Sequence, residues 1–248
     1  MLDKEIVRIK VEGEFACFTR PDLKVERMTY PCMTPSAARG ILEAILWRPE
    51  FQWFVRRILV LNPIKFTSIK RNEILKRQGR RTGSIDIVSN RVQRNSIVLK
   101  DVAYIIEASV YIKDELIEET KDNKPITVKK YREMFERRVK KGQCWHQPCL
   151  GTREFVADFS IPNTNDQPHP DIKTVIYPIG SMFYDMLYDE NGVVTPLFFY
   201  DAKIENGVLK CPEECAKKIL SSSHIQPKLS DKFNRAVYEH YIIEEVGL

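Results

Sequence analysis

Hydrophobic and polar positions alternate from the start of the chain. Val7, Ile9 and Val11 fall on one side and Arg8 and Lys10 on the other, the period-2 pattern of a strand with one covered face. The period then lengthens. Thr34-Pro35 supplies a capping residue followed by proline at the first helical position. Ala38, Ile41, Leu42 and Ile45 mark one helical face through Leu46, and Pro49 limits the helix. The aromatic and β-branched run from Phe51 to Phe66 predicts one or two strand segments, interrupted at Asn62-Pro63. A basic stretch containing Gly79 and Gly83 then reads as a hairpin tip or a mobile loop. The clearest strand follows: Val102, Tyr104, Ile106, Ala108, Val110 and Ile112 share one face, with Glu107 and Lys113 on the other. Lys121 to Pro125 reads as a loop. A second helix is predicted from about Thr127 to Lys141, with Val128, Tyr131, Phe135 and Val139 as its apolar stripe and Gly142 as its stop. Phe155, Ala157 and Phe159 mark another strand.

This order, β-α-β-β-α-β, is the α+β arrangement called ferredoxin-like or RRM-like, and it uses residues 1–160. Residues 161–248 form a smaller β-rich region. It holds strand-like runs at Thr174–Tyr188 and Pro196–Glu205, a hairpin signal at Asn206-Gly207 leading into Val208-Leu209-Lys210, and a tail rich in Lys, Glu and Ser. So many functions share this fold class that it names none of them. No RNP signature for base stacking is present.

The 248 residues are 43% hydrophobic, enough for one substantial core, and no run approaches the roughly 20 apolar residues of a membrane span. The acid-base mixture of Met1 to Lys10 does not read as a secretion signal, so the expected location is the cytoplasm. Cys144, His146 and Cys149 cluster, and Cys211 and Cys215 form a second pair, but neither pair has the CxxC spacing of structural zinc sites; buried or idle thiols are expected, with no metal and no cofactor. The net charge of +5 is less informative than its distribution. Between Lys65 and Arg94 stand nine Lys or Arg, Lys70, Arg71, Lys76, Arg77, Arg80 and Arg81 among them, against Glu73 and Asp86 alone. From Lys129 to Lys141 seven basic residues, including Lys130, Arg137, Arg138 and Lys140, face two acidic ones, which leaves the rest of the chain net acidic. Cations concentrated in this way predict a polyanion partner, nucleic acid in particular.

Three stretches carry a family resemblance: Glu14-Phe-Ala-Cys-Phe-Thr-Arg20, Tyr30-Pro-Cys-Met-Thr-Pro-Ser-Ala-Ala-Arg-Gly-Ile-Leu-Glu-Ala-Ile45, and Arg137-Arg-Val-Lys-Lys-Gly-Gln-Cys-Trp-His-Gln-Pro-Cys-Leu-Gly-Thr-Arg-Glu-Phe155. In this order and spacing, with Asn62-Pro63 and Arg71-Asn72-Glu73 between them, the chain resembles the CRISPR-associated Cas protein of family five in its subtype I-C form. The resemblance implies a RAMP domain of ferredoxin-like fold that binds the repeat stem-loop of precursor guide RNA. It implies metal-free cleavage at the base of that hairpin. Afterwards the protein stays on the 5′ handle beside the backbone and large subunits of the Cascade complex, with target DNA a further contact inside it.

The implied chemistry is attack of a 2′-hydroxyl on the adjacent phosphorus. A base takes the hydroxyl proton, an acid protonates the leaving 5′-oxygen, and a fixed cation stabilises the added charge. The family's active site draws on a Tyr or His near the end of the first helix and a Lys-His pair opening the second. Here those positions match Leu46 and Lys129-Lys130. Lys129 and Lys130 are thus the candidate catalytic residues, and leucine at the first position has no proton to give. The basic residues Lys70, Arg71, Lys76, Arg77, Arg80, Arg81, Arg137, Arg138, Lys140 and Lys141 are the expected RNA contacts. Tyr131 is expected in the core, and His146, Trp47 and Trp145 in packing roles.

Overall fold

The computed structural model describes residues 6–23, 25–76, 84–112, 127–188 and 193–222. Its eight strands form one sheet with every pairing antiparallel: β1 (Ile6–Ala16), β2 (Phe51–Val60), β3 (Phe66–Ile74), β4 (Arg91–Ile112), β5 (Asp158–Ser160), β6 (Tyr177–Tyr188), β7 (Val194–Glu205) and β8 (Val208–Lys210). Across the sheet the order is β5-β1-β4-β2-β8-β7-β6, with β3 paired to β4 off this path. Among the described residues the helices are α1 (Pro35–Ile45), α2 (Val128–Lys140), the short α3 (Pro170–Lys173) and α4 (Glu213–Ser222). The architecture is mixed α and β, an antiparallel sheet carrying few helices.

Both long helices begin where capping chemistry places them. The Thr34 hydroxyl accepts from the Ala37 amide, and Thr127 accepts from that of Lys130. Gly142, at φ +65°, ends α2 in the left-handed region. One face of the sheet, with Ile9, Ile106 and Ile58, joins Ile41, Leu42, Ile45, Tyr131 and Phe135 in a single core. An aromatic ladder fixes α2 on β2. Tyr131 lies 4.7 Å from Phe51 and Phe135 lies 4.9 Å from Trp53, ring centre to ring centre. At the far end of the sheet Asn206 and Gly207 both have positive φ, as a two-residue hairpin turn requires.

Five expectations change. The basic stretch after Phe66 is largely strand: β3 and the first part of a 22-residue β4 pair from Phe66↔Leu99 to Ile74↔Arg91, and residues 77–83 lie outside the described residues. The strand expected around Phe155 is confined to Asp158–Ser160, and the strand expected from Thr174 starts at Tyr177. Part of the expected tail is the helix α4, whose Cys215 and Ala216 are buried. Glu107, expected on an open face, is 2% exposed. It survives burial because Arg8 and Arg57 both donate their Nε–H to its carboxylate, Arg8 at 3.0 Å. A β-bulge between Val55 and Arg57 brings Arg57 opposite Glu107.

Candidate nucleic-acid interface

The three resemblance stretches are distant in sequence and meet around α1. The Trp145 amide donates to the Ala44 carbonyl at 2.7 Å, and the Arg138 guanidinium donates to the Ile45 carbonyl at 2.9 Å, so the third stretch caps the last turn of the helix in the second. The Cys17 amide of the first donates to the Leu150 carbonyl of the third at 3.0 Å. Gly151, at φ +90°, passes so close that a Cβ there would lie 2.0 Å from the Cys17 carbonyl oxygen; only glycine fits. Between them opens a cleft of about 420 Å³, lined in part by Thr19, Ser36, Gly40, His146, Cys149 and Phe183. His146 is exposed at its mouth rather than packed, and Trp145 and Trp47 are 42% and 36% exposed, so neither tryptophan is core. Trp53 is the buried one, its indole N–H donating to the Leu46 carbonyl.

Lys129 and Lys130 stand in the first turn of α2. The helix has already formed there, so the two side chains diverge by about 100° around its axis. Lys129 reaches Glu133 at 3.8 Å with both side chains mostly exposed, and Lys130 lies 5.7 Å from the centre of the Tyr131 ring. Tyr131 is buried, as its place in the stripe predicts. Leu46 is fully buried. Its neighbour Ile45 is held by Arg138, eight residues and about 12 Å along α2 from Lys130.

The expected RNA contacts divide. Lys70 and Lys76 are exposed, on the outer face of the β3–β4 hairpin and just past its first strand. Arg71 is engaged within the protein: it pairs with Glu154 and Glu73 and donates to Ser96 at 3.0 Å, while Arg27 meets the same two glutamates and Arg94 meets Glu73. Arg77, Arg80 and Arg81 lie outside the described residues. Arg137, Lys140 and Lys141, with Glu133 and Glu136, line an open groove of about 370 Å³ along α2, whereas Arg138 serves as the helix cap. A further ion cluster went unread in the sequence: Arg39 binds Asp185 through two nitrogens at 2.6 and 2.9 Å and Glu43 at 2.6 Å, tying α1 to β6. Burial works against the Arg39 charge, but Glu43 and Asp185 outweigh it and raise its pKa. Its signal in the sequence was only a lone i, i+4 Arg-Glu pair.

The profile of the CRISPR-associated protein (Cas_Cas5) family, in its Cas5d form, matches residues 6–212. The chain belongs to the Cas5d family. Two curated relatives, from Mannheimia succiniciproducens and Thermus thermophilus, are each named CRISPR pre-crRNA endoribonuclease Cas5d. They are 39% and 42% identical to this chain, over 86% and 84% of its length and 97% and 92% of their own. Among solved structures, a functionally uncharacterized protein from Streptococcus mutans superposes with a TM-score of 0.60 at 21% identity, covering 84% of this chain and 93% of that one. A CRISPR-associated protein superposes with a TM-score of 0.61 at 23% identity, covering 84% and 92%. These two likenesses are of fold. In Cas5d terms, the cleft and cap described above are where all three of the chain's resemblance stretches converge.

Proposed function

We propose that this chain is a precursor guide-RNA endoribonuclease that binds the CRISPR repeat stem-loop, cleaves it, and remains on the 5′ handle as a Cascade subunit in the cytoplasm. The observation that carries the reading is its likeness, over most of both chains, to two relatives named CRISPR pre-crRNA endoribonuclease. The strand order β5-β1-β4-β2, with α1 and α2 on one face, supports a ferredoxin-like RAMP core within residues 1–160, to which β3 is an added arm and β6 to β8 a C-terminal extension.

In the reaction a 2′-hydroxyl attacks the neighbouring phosphorus and the 5′-oxygen leaves, giving a 2′,3′-cyclic phosphate and a 5′-hydroxyl. The nucleophile belongs to the RNA, so the step asks the protein for orientation, proton transfer and a cation. Lys129, mostly exposed and paired with an exposed glutamate, turns towards a phosphate. Lys130 points elsewhere on the helix and serves a second oxygen or the leaving group. Lys70, Lys76, Arg137, Lys140 and Lys141 hold the phosphate backbone.

One observation favours a second reading, a subunit that grips RNA without cutting it. Leu46, at the family's proton-transfer position, is apolar and fully buried. Incubating the protein with its repeat RNA in EDTA separates the two. Cleavage that falls at least a hundredfold in Lys129→Ala supports the first reading. Tight hairpin binding without any product leaves the second, and cleavage indifferent to Lys129→Ala removes the residue assignment.

A further inference from the structure

The face of the sheet turned away from α1 and α2 carries a row of cations that no run in the sequence announces. Register places Arg8 opposite Glu107, Glu107 opposite Arg57, and Arg57 opposite Lys210. One step along the β7–β8 ladder from Ile204↔Leu209 brings Lys203 beside Lys210. Arg8, Arg57, Lys210 and Lys203 therefore line up across β1, β4, β2, β8 and β7, a span of about 19 Å at ordinary strand spacing. All four are exposed; the side chains of Arg8 and Arg57 are 50% and 52% accessible.

The row is ordered. Both arginines meet Glu107 through Nε, and both side chains stay half exposed over a buried carboxylate. Four cations flank this single acidic residue in the row; Glu205, 3.5 Å from Lys203, stands in the next one. That neighbouring row is closed, with Ile105 wholly buried and Lys10 paired to Glu12 and Asp166, which makes the cationic row the open strip beside it. No aromatic side chain interrupts the row, so its chemistry is suited to phosphates rather than to stacked bases.

We propose that this transverse row binds the phosphate backbone of the RNA strand, laid across the sheet, in addition to the hairpin and α2 cations. The inference rests on the RNA-binding reading above. It is tested with the full chain by measuring affinity for repeat RNA against salt concentration in Lys203→Gln/Lys210→Gln, two substitutions that remove exposed charges and leave Glu107 satisfied. The expected result is an affinity about tenfold weaker at 0.15 M salt, and a slope of log K against log salt about 1.4 shallower, the counterion release of two single-strand phosphates. Lys217→Gln/Lys218→Gln, exposed on α4 and off the row, should keep the wild-type slope, with unchanged thermal melting in both variants. Equal losses in the two pairs would reduce the effect to net charge and overturn the row. So would wild-type affinity and slope in Lys203→Gln/Lys210→Gln, the outcome for a face that meets an acidic protein. Absence of RNA binding by the wild type would instead remove the function reading, and the row with it.

Discussion

Beside the β3–β4 hairpin, Arg27 and Arg71 each meet both Glu73 and Glu154, and Arg94 meets Glu73; the two glutamate side chains are 22% and 43% accessible. On the sheet face, Arg8 and Arg57 share one, Glu107, whose side chain is 3% accessible. Both assemblies are arginines around carboxylates, and they are held with different force. A carboxylate that water reaches loses little when a partner leaves, because solvent takes the partner's place. A desolvated carboxylate has no such substitute, so its arginines are required and their orientation is fixed. The network beside the hairpin can exchange a partner for water; the sheet pair holds its two arginines to one buried carboxylate.

The sharpest way to break this contrast is Arg8→Ala/Arg57→Ala, which strands Glu107. It should cost about 3–5 kcal/mol in denaturant unfolding, and a loss below about 1 kcal/mol would mean that water enters and the two networks are alike. Glu107→Gln keeps an acceptor and removes the charge. A cost of about 1–3 kcal/mol is expected, because the amide offers its one oxygen to one arginine and turns an NH2 donor on the other, together with RNA binding equal to or tighter than wild type. Weaker RNA binding in that variant would show that the carboxylate aims the arginines more than it neutralises them. Glu154→Ala, in the exposed network, should cost less than about 1 kcal/mol, with the loss shrinking further in high salt. A larger cost would place the hairpin network on the same footing as Glu107.

The sequence was most legible where local chemistry decides. Thr34-Pro35 and Thr127 start helices whose caps are closed by neighbours within three residues, and Asn206-Gly207 makes its turn from its own backbone preferences. The resemblance stretches named the family because their spacing serves tertiary contacts such as Gly151 against Cys17. Alternation placed Glu107 on the correct face but is silent on what covers that face. The cationic row was illegible for a related reason: Arg8, Arg57, Lys203 and Lys210 are scattered singly along the chain, and only strand register sets them side by side. Charge runs drew attention to Arg71 and Arg138 instead, both of which turn inward, one to glutamates and the other to the end of α1. α4 was missed because its short apolar set, Cys215, Ala216, Ile219 and Leu220, packs on tertiary neighbours and is interleaved with charged and serine residues.

The bulge in β2 acts as a change of reading frame. Before it, the odd-numbered Phe51, Trp53 and Val55 face the core; after it, the even-numbered Ile58 and Val60 do. Removing the single residue Arg56 would restore an unbroken ladder, because Val55 and Arg57 already sit opposite the consecutive residues Ala108 and Glu107. Arg57 on Glu107 and Ile58 on Ile106 share one register, so both pairs would be kept, and the loss would fall on what Arg56 itself holds, the Ser109 hydroxyl and the Cys211 amide. The extra residue absorbs the change of parity, so that the alternation on either side of it keeps apolar side chains on the core.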